Sequence, residues 1–219
     1  QWVNAGKINN TGVEFMLYGT PVKTRDFQFD ITANLAHNRS TVKELADGVN
    51  RVYFAGDSNM PVKVGAVKGG KLGDIFANNL MQRDAQGRVI IGDDGLPMAA
   101  TGDGNLEQYL LDHPIGNIQP DLLMSITPTF TYKGISLTAM FDMKFGGDIV
   151  SVSEGMATSV GTSERTAYRG EYKTVNGVQD WYMVVPGVKA DGSVNTQEVS
   201  AQKYYSTIGL YSSQKGYAE

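Results

Sequence analysis

Hydrophobic and polar residues alternate with a period of two along two stretches of the chain, and the longer of them organises the rest. Asp121–Asp148 reads DLLMSITPTFTYKGISLTAMFDMKFGGD, and a two-residue turn at Lys133-Gly134 sets its arms in register. Tyr132 then faces Ile135, Phe130 faces Leu137, Pro128 faces Ala139, Ile126 faces Phe141, Met124 faces Met143 and Leu122 faces Phe145. Thr131 with Ser136, Thr129 with Thr138, Thr127 with Met140 and Ser125 with Asp142 make the other, mostly polar, face. The pattern predicts a hairpin over about 121–147.

A second hairpin is predicted over about 12–36. Val13, Phe15, Leu17, Phe27, Phe29, Ile31, Ala33 and Leu35 share one parity, while Glu14, Gln28, Asp30, Thr32 and Asn34 take the other. A loop over Val22–Asp26 pairs Leu17 with Ile31 and Phe15 with Ala33, and Pro21 stands at the margin of the first arm. Globular strands run to about five or six residues, whereas a tilted strand needs about nine to eleven to cross a bilayer. These arms have the longer reach. Phe130 and Tyr132 near the turn and Phe145 at the far end stand where an aromatic girdle would meet lipid headgroups. A soluble antiparallel sheet with one face on a core alternates too; strand length decides for the membrane.

Between the hairpins, about 40–120 is rich in Gly, Asn and Asp, and a second such region follows from about 148 to 219. Connections this long carry function or small elements of their own. Asn105–Asp112 predicts two helical turns, Gly87–Gly92 a short strand after the Asp84–Gly87 turn, and Glu154–Arg169 a helical segment. Asn195-Thr-Gln-Glu198 reads as an N-cap with Glu at N3, opening a helix through Tyr204-Tyr205 that stops at Gly209. Short turns at one end and long loops at the other match an outer-membrane barrel, whose turns are periplasmic and whose loops are extracellular. The fold class expected is all-β: part of a large antiparallel transmembrane β-barrel with two long hairpins and long extracellular loops.

Composition changes the picture mainly by exclusion. The 219 residues hold no cysteine, so disulfides, thiolate metal sites and cysteine catalysis are out. Net charge is −4, which argues against nucleic acid as a partner. No apolar run is long enough for a spanning helix, which leaves a barrel open because its apolar residues are diluted one in two. Gln1 is no initiator and no signal segment follows it, so a processed N-terminus or a fragment is expected.

Candidate chemistry is sparse. Gly65–Lys71 approaches a phosphate-binding loop, but Leu72 stands where Ser or Thr must hold magnesium, and the strand and helix context is missing. Asp93-Asp94-Gly95 and Asp191-Gly192 resemble pieces of calcium loops yet lack the alternating ligands, and Asp-Gly is an ordinary turn dipeptide. No nucleophile elbow is present and Asp112-His113 are neighbours rather than partners, so no enzyme is expected, and no catalytic, cofactor or metal residue is nominated. Trp181, Tyr182, Tyr204, Tyr205 and Tyr211 concentrate in the last region, either as a small core for a long loop or as interface rings. Trp181, Tyr182, Tyr204 and Tyr205 are the candidate contacts to a substrate or lid.

Several motifs follow one another in an order that resembles SusC/RagA-like TonB-linked outer-membrane proteins, near their C-terminal part. They are Gly6–Phe15, the arm from Phe27 to Val42, Arg83–Gly92, Ile115–Asp121, Phe130–Leu137 and Phe145–Asp148, with looser matches at Val185–Val188, Asp191–Asn195 and Ala201–Tyr205. The resemblance implies an importer with a barrel of roughly twenty-two strands and an N-terminal plug. It further implies an outer-membrane location, a SusD-like surface lipoprotein as lid, oligosaccharides or peptides as cargo, and energy from TonB. No cofactor is implied. Residues 1–219 are then expected to be a fragment of the barrel domain, with the plug, the TonB-contacting segment and most strands, including those after Glu219, outside this chain. Two other readings stay open on the residues alone: a soluble β-rich carbohydrate-binding module and a secreted glycoside hydrolase, though no carboxylate pair can be picked for the second.

Overall fold

The computed structural model describes residues 6–56 and 61–209. In chain order the elements are β1 (Gly6–Lys23), β2 (Phe27–Leu45), β3 (Arg51–Ala55), β4 (Val62–Val67), β5 (Asp74–Ala77), α1 (Leu106–Asp112), β6 (Gly116–Asn117), β7 (Leu122–Tyr132), β8 (Ile135–Thr138) and β9 (Phe141–Phe145). α2 (Val152–Ser159), β10 (Glu171–Val175), β11 (Val178–Val184), β12 (Glu198–Ser200) and α3 (Ala201–Ile208) follow. Two compact units form. The first comprises Gln1–Val52, Ala66–Asp74 and Gly116–Ile149, and the second Tyr53–Gly65, Ile75–Ile115 and Val150–Glu219.

The first unit is a long antiparallel sheet in the order β1-β2-β7, with β8 and β9 both pairing β7. The two hairpins lie side by side because β2 pairs β7 from Phe27↔Tyr132 to Ala36↔Leu123. Around Lys133-Gly134 the register is the expected one, from Tyr132↔Ile135 to Leu122↔Phe145. Both turn residues take positive φ, 48° and 86°, the type I′ geometry whose twist matches the strands it joins. The returning arm is divided at Ala139-Met140. Pro128 faces that point, and its main chain accepts from the Ala139 amide at 3.2 Å but has no N–H to donate in return.

The first hairpin differs from expectation in register. Phe15 faces Leu35 and Leu17 faces Ala33, a displacement of two residues from the predicted pairs. The cause is a tighter turn, which moves the pairing by three residues, and a bulge, which takes one back. Gly19 faces Ile31 and Val22 faces Phe29, so Thr20 and Pro21 together oppose Asp30, and the turn contracts to Thr24–Asp26. The bulge seats Pro21 inside the strand without a ladder donor being needed there. It also switches parity, placing Val22 on the apolar face and Thr20 on the polar one.

The second unit is built of short pieces around small cores. Ile91, Leu96, Val185 and Val199 form one buried cluster, and Met183, Ala201 and Tyr205 a second, with Tyr204 packed against both. β10, β11 and β12 make a three-stranded sheet, whose Asn176-Gly177 hairpin turn has φ of 50° and 81°. The expected helix at Asn105 forms, capped by that side chain on the Gln108 amide, while of the expected segment Glu154–Arg169 α2 covers only the start, beginning at Val152 with Ser151 as its cap and ending at Ser159. Gly87–Gly92 supplies single bridges, Arg83↔Val89, Ile90↔Val188 and Ile91↔Pro97, rather than a strand. α3 begins later than expected. Glu198 lies in β12 opposite Val184, Ser200 caps the helix, and the Asn195 side chain accepts from the Gln197 amide while donating to the Val185 carbonyl. The helix does stop at Gly209.

Candidate functional site: a two-faced strand wall and a loop pocket

Directly opposed residues share a face, so the registers of the first unit extend into rows across the sheet. Phe15–Leu35–Met124–Met143, Leu17–Ala33–Ile126–Phe141 and Val22–Phe29–Phe130–Leu137 are apolar rows, and Phe27–Tyr132–Ile135 closes the series at the turns. Phe29 and Phe130 stack with centroids 4.8 Å apart. Nothing in the first unit covers this face: Phe15 and Phe141 are each 56% exposed, Leu137 67% and Ile135 77%. A core-facing sheet would bury them. Along β2 the apolar parity runs from Phe27 to Leu35 and then gives way to His37 and Arg39. The apolar band therefore matches the nine to eleven residues or so of a tilted crossing, while β1 and β2 continue beyond it as a polar ribbon.

The opposite face carries its own hydrogen-bonded rows. Asn34 donates to the Ser125 hydroxyl at 3.0 Å, Thr129 and Thr138 are 3.0 Å apart, and Thr131 and Ser136 2.9 Å. Asp30 gathers donors, taking the Thr20 hydroxyl at 2.6 Å and the Gln28 amide at 3.0 and 2.8 Å on its two oxygens. Thr20 reaches that carboxylate because it lies opposite Asp30, next to the Gly19↔Ile31 pair.

Past the band, the Ile115–Asp121 and Phe145–Asp148 motifs meet one another. The Asp148 side chain accepts from the Asn117 amide at 2.8 Å, the Asp121 amide donates to the Phe145 carbonyl at 2.9 Å, and Asn117 Nδ2 reaches Asp74 Oδ1 at 2.8 Å. Gly146 is required here. Its φ is 72°, and a Cβ would fall within 2.4 Å of an Asp121 carboxylate oxygen.

The remaining sequence candidates resolve as turns. In the glycine-rich segment, Gly69 and Leu72 donate their amides to Val42 and Ser40 carbonyls, and the Lys71 amide donates to the Asp74 carboxylate. The amides that would cradle a phosphate are spent, one of them on a negative charge. Asp94 accepts from the Leu96 amide, and Asp191 from both the Ser193 hydroxyl and amide, which hold its carboxyl below the usual carboxylate range. Among the described residues no cluster of metal-ligating side chains occurs.

The four aromatic candidates lie in the second unit but do not form one patch. Tyr205 is 8% exposed and donates its hydroxyl to the Tyr168 carbonyl at 2.5 Å, its own ionisation pushed up by burial. Tyr204 is half-buried against both cores, and Tyr182 is half-buried on the sheet face opposite Trp181. Trp181 is 41% exposed, tilted against Tyr172 at 5.4 Å. Tyr211 lies outside the described residues. Missed by the sequence reading were Tyr172, Asp180 and Arg169 beside Trp181; Asn176-Gly177 between alternating residues was the hairpin signal that would have found the first two.

No family model matches the chain. Among curated proteins it is similar to the TonB-dependent receptor SusC of Bacteroides thetaiotaomicron, 28% identical over 177 residues that are 75% of this chain and 17% of SusC. Among solved structures it is similar to the RagAB peptide transporter, with a TM-score of 0.50 and 22% identity over 73% of this chain and 17% of that one. The chain thus spans about a sixth of the length of each protein it matches. The mostly antiparallel sheet has the fold of a TonB-dependent transporter barrel, open rather than closed among the described residues. In sequence the chain resembles SusC, and in fold the RagAB transporter.

Proposed function

We propose that this chain supplies a strip of barrel wall and two long loops to a SusC/RagA-type TonB-dependent outer-membrane transporter that imports oligosaccharide or peptide. The observation that carries the proposal is the division of one sheet into an uncovered apolar face and a hydrogen-bonded polar face, sustained over four arms. In a barrel wall the first face meets lipid and the second a polar interior. The residues from about 40 to 120 and from 148 to 219 are then extracellular loops, and the turns at Thr24–Asp26 and Lys133-Gly134 periplasmic. A SusD-like surface lipoprotein closes the barrel from outside and TonB drives import; the name of SusC, a TonB-dependent receptor, supports the second of these. The role is carriage, with no chemical step.

The test is made in cells carrying the full-length gene. The protein is expected in the outer-membrane fraction, and deleting it or TonB should abolish uptake of the same oligosaccharide or peptide. Recovery of the protein in a soluble fraction, with uptake unchanged by its deletion, would contradict the proposal.

A further inference from the structure

A cavity of about 780 Å³ opens in the second unit, bounded by β11, the first turns of α3, the end of α2 and Arg169. Small-ligand pockets run to roughly 300–1,000 Å³, so there is room for a short oligomer. We propose that it binds an acidic saccharide, with Trp181 as stacking platform and Arg169 and Lys203 facing the acid groups. The inference rests on the transporter reading for its cargo and narrows that cargo to one chemistry.

The platform comes first. Trp181 packs against Tyr172 at 5.4 Å and stays 41% exposed at the cavity wall, so its indole is open to a ligand. An indole face suits the C–H side of a pyranose, apolar on one side and wet at its edge. The polar lining suits hydroxyls: the Gln202 amide and the Ser159 and Ser206 side chains are within the same wall.

Charge then selects among sugars. Asp180 is the one carboxylate in the lining, and both of its oxygens are engaged, Oδ2 by the Ser200 hydroxyl at 2.7 Å and Oδ1 by the Trp181 amide at 2.8 Å. Arg169 is oriented by two carbonyls, donating from Nε to Thr166 at 3.2 Å and from Nη2 to Gly161 at 3.0 Å. Among the described residues neither Arg169 nor Lys203 is paired with a carboxylate. Two cations against one engaged anion, beside the N-terminal turn of α3, leave a surplus of positive potential for an anionic ligand. A peptide is the poorer fit. Peptides held in extended form take main-chain hydrogen bonds from a strand edge, and at the cavity wall β11 pairs β10 on one side while on the other the Trp181 amide is already taken by the Asp180 carboxylate.

The experiment titrates the full-length protein in detergent with trigalacturonate, maltotriose and the tripeptide Glu-Ala-Glu by calorimetry. Trigalacturonate should bind at least about tenfold more tightly than maltotriose or the tripeptide, the difference shrinking between about 50 and 500 mM salt. Trp181→Ala should weaken trigalacturonate about tenfold or more while Trp181→Phe, which keeps a ring and guards against misfolding, retains most of the affinity. Lys203→Gln, on an exposed side chain, should weaken it about threefold to tenfold. Equal binding of maltotriose, tighter binding of the tripeptide, no binding of trigalacturonate, or indifference to both Trp181→Ala and Lys203→Gln would each overturn the inference. Membrane fractionation separates the two readings. If the protein is in the outer membrane and imports its cargo while the pocket variants are silent, the pocket falls and the transporter stands. If it is not in the outer membrane, the transporter reading falls and the titration still judges the pocket.

Discussion

Thr138 and Ala139 are neighbours in the chain that belong to different surroundings. Thr138 faces Thr129 across the polar side, while Ala139 lies opposite Pro128 in the apolar parity. On a lipid face an Arg near the midplane costs about 2 to 4 kcal/mol, whereas a polar interior solvates it. Ala139→Arg in the full-length protein should therefore lose folded barrel, measured as the heat-modifiable band on a gel, far more than Thr138→Arg. Equal losses would remove the distinction between the two faces. Asp30 is the other informative residue, since a carboxylate amid strands is tolerable only where donors or water meet it, and Thr20 and Gln28 do so.

At the scale of elements, irregularities in the strands have single-residue causes. Pro128→Ala would restore the donor that faces the Ala139 carbonyl, so the arm from Ile135 to Phe145 should pair as one strand. Amide exchange over 128–140 in the full-length variant should slow; unchanged exchange would mean the break has another origin. Removing Pro21 leaves Thr20 opposite Asp30 and Val22 opposite Phe29, so this deletion should fold, whereas one Ala inserted between Phe15 and Met16 puts β1 residues on the wrong face and should not. Failure of the deletion with survival of the insertion would contradict the registers.

The same elements show what could be read from residues alone. The Lys133-Gly134 hairpin was legible because a tight turn leaves one register and period two fixes its faces. In the first hairpin the faces were legible and the pairs were not: a two-residue slip keeps parity, and no local signal at Thr20-Pro21 counts the extra residue. The loop unit resisted for a different reason. Its structure depends on bonds between distant segments, such as Ile90 with Val188 and Lys189 Nζ to the Gly92 carbonyl at 2.7 Å, and β12 overrides the capping pattern at Asn195. Trp181 stood out by composition and Asp180 is its neighbour in the chain, while Arg169 is brought beside them only by the fold.

At the scale of the whole molecule, a barrel wall of the kind proposed has a defined direction in the membrane. The outer edges of β1 and of the β8–β9 arm have no neighbour among the described residues, which lipid does not tolerate, so further strands must meet them. Single cysteines can be introduced in a chain that has none. In intact cells, an impermeant thiol reagent should label Asp94→Cys and Asp191→Cys of the full-length protein and spare Lys133→Cys and Thr24→Cys. Labelling at Lys133 with none at Asp94 would invert the topology.

The most direct measurement asks what touches each face of the strand wall. Spin labels placed one at a time from residue 141 to residue 145 of the full-length protein in bilayers report collisions with oxygen, which concentrates in lipid, and with a water-soluble nickel chelate. Accessibility should alternate with a period of two, labels at 141 and 143 meeting oxygen and labels at 142 and 144 meeting nickel. If the label at 141 in folded, reconstituted protein meets neither lipid-borne oxygen nor any more of it than the label at 142, the apolar face is packed against protein, and the account of this chain as a barrel wall is wrong.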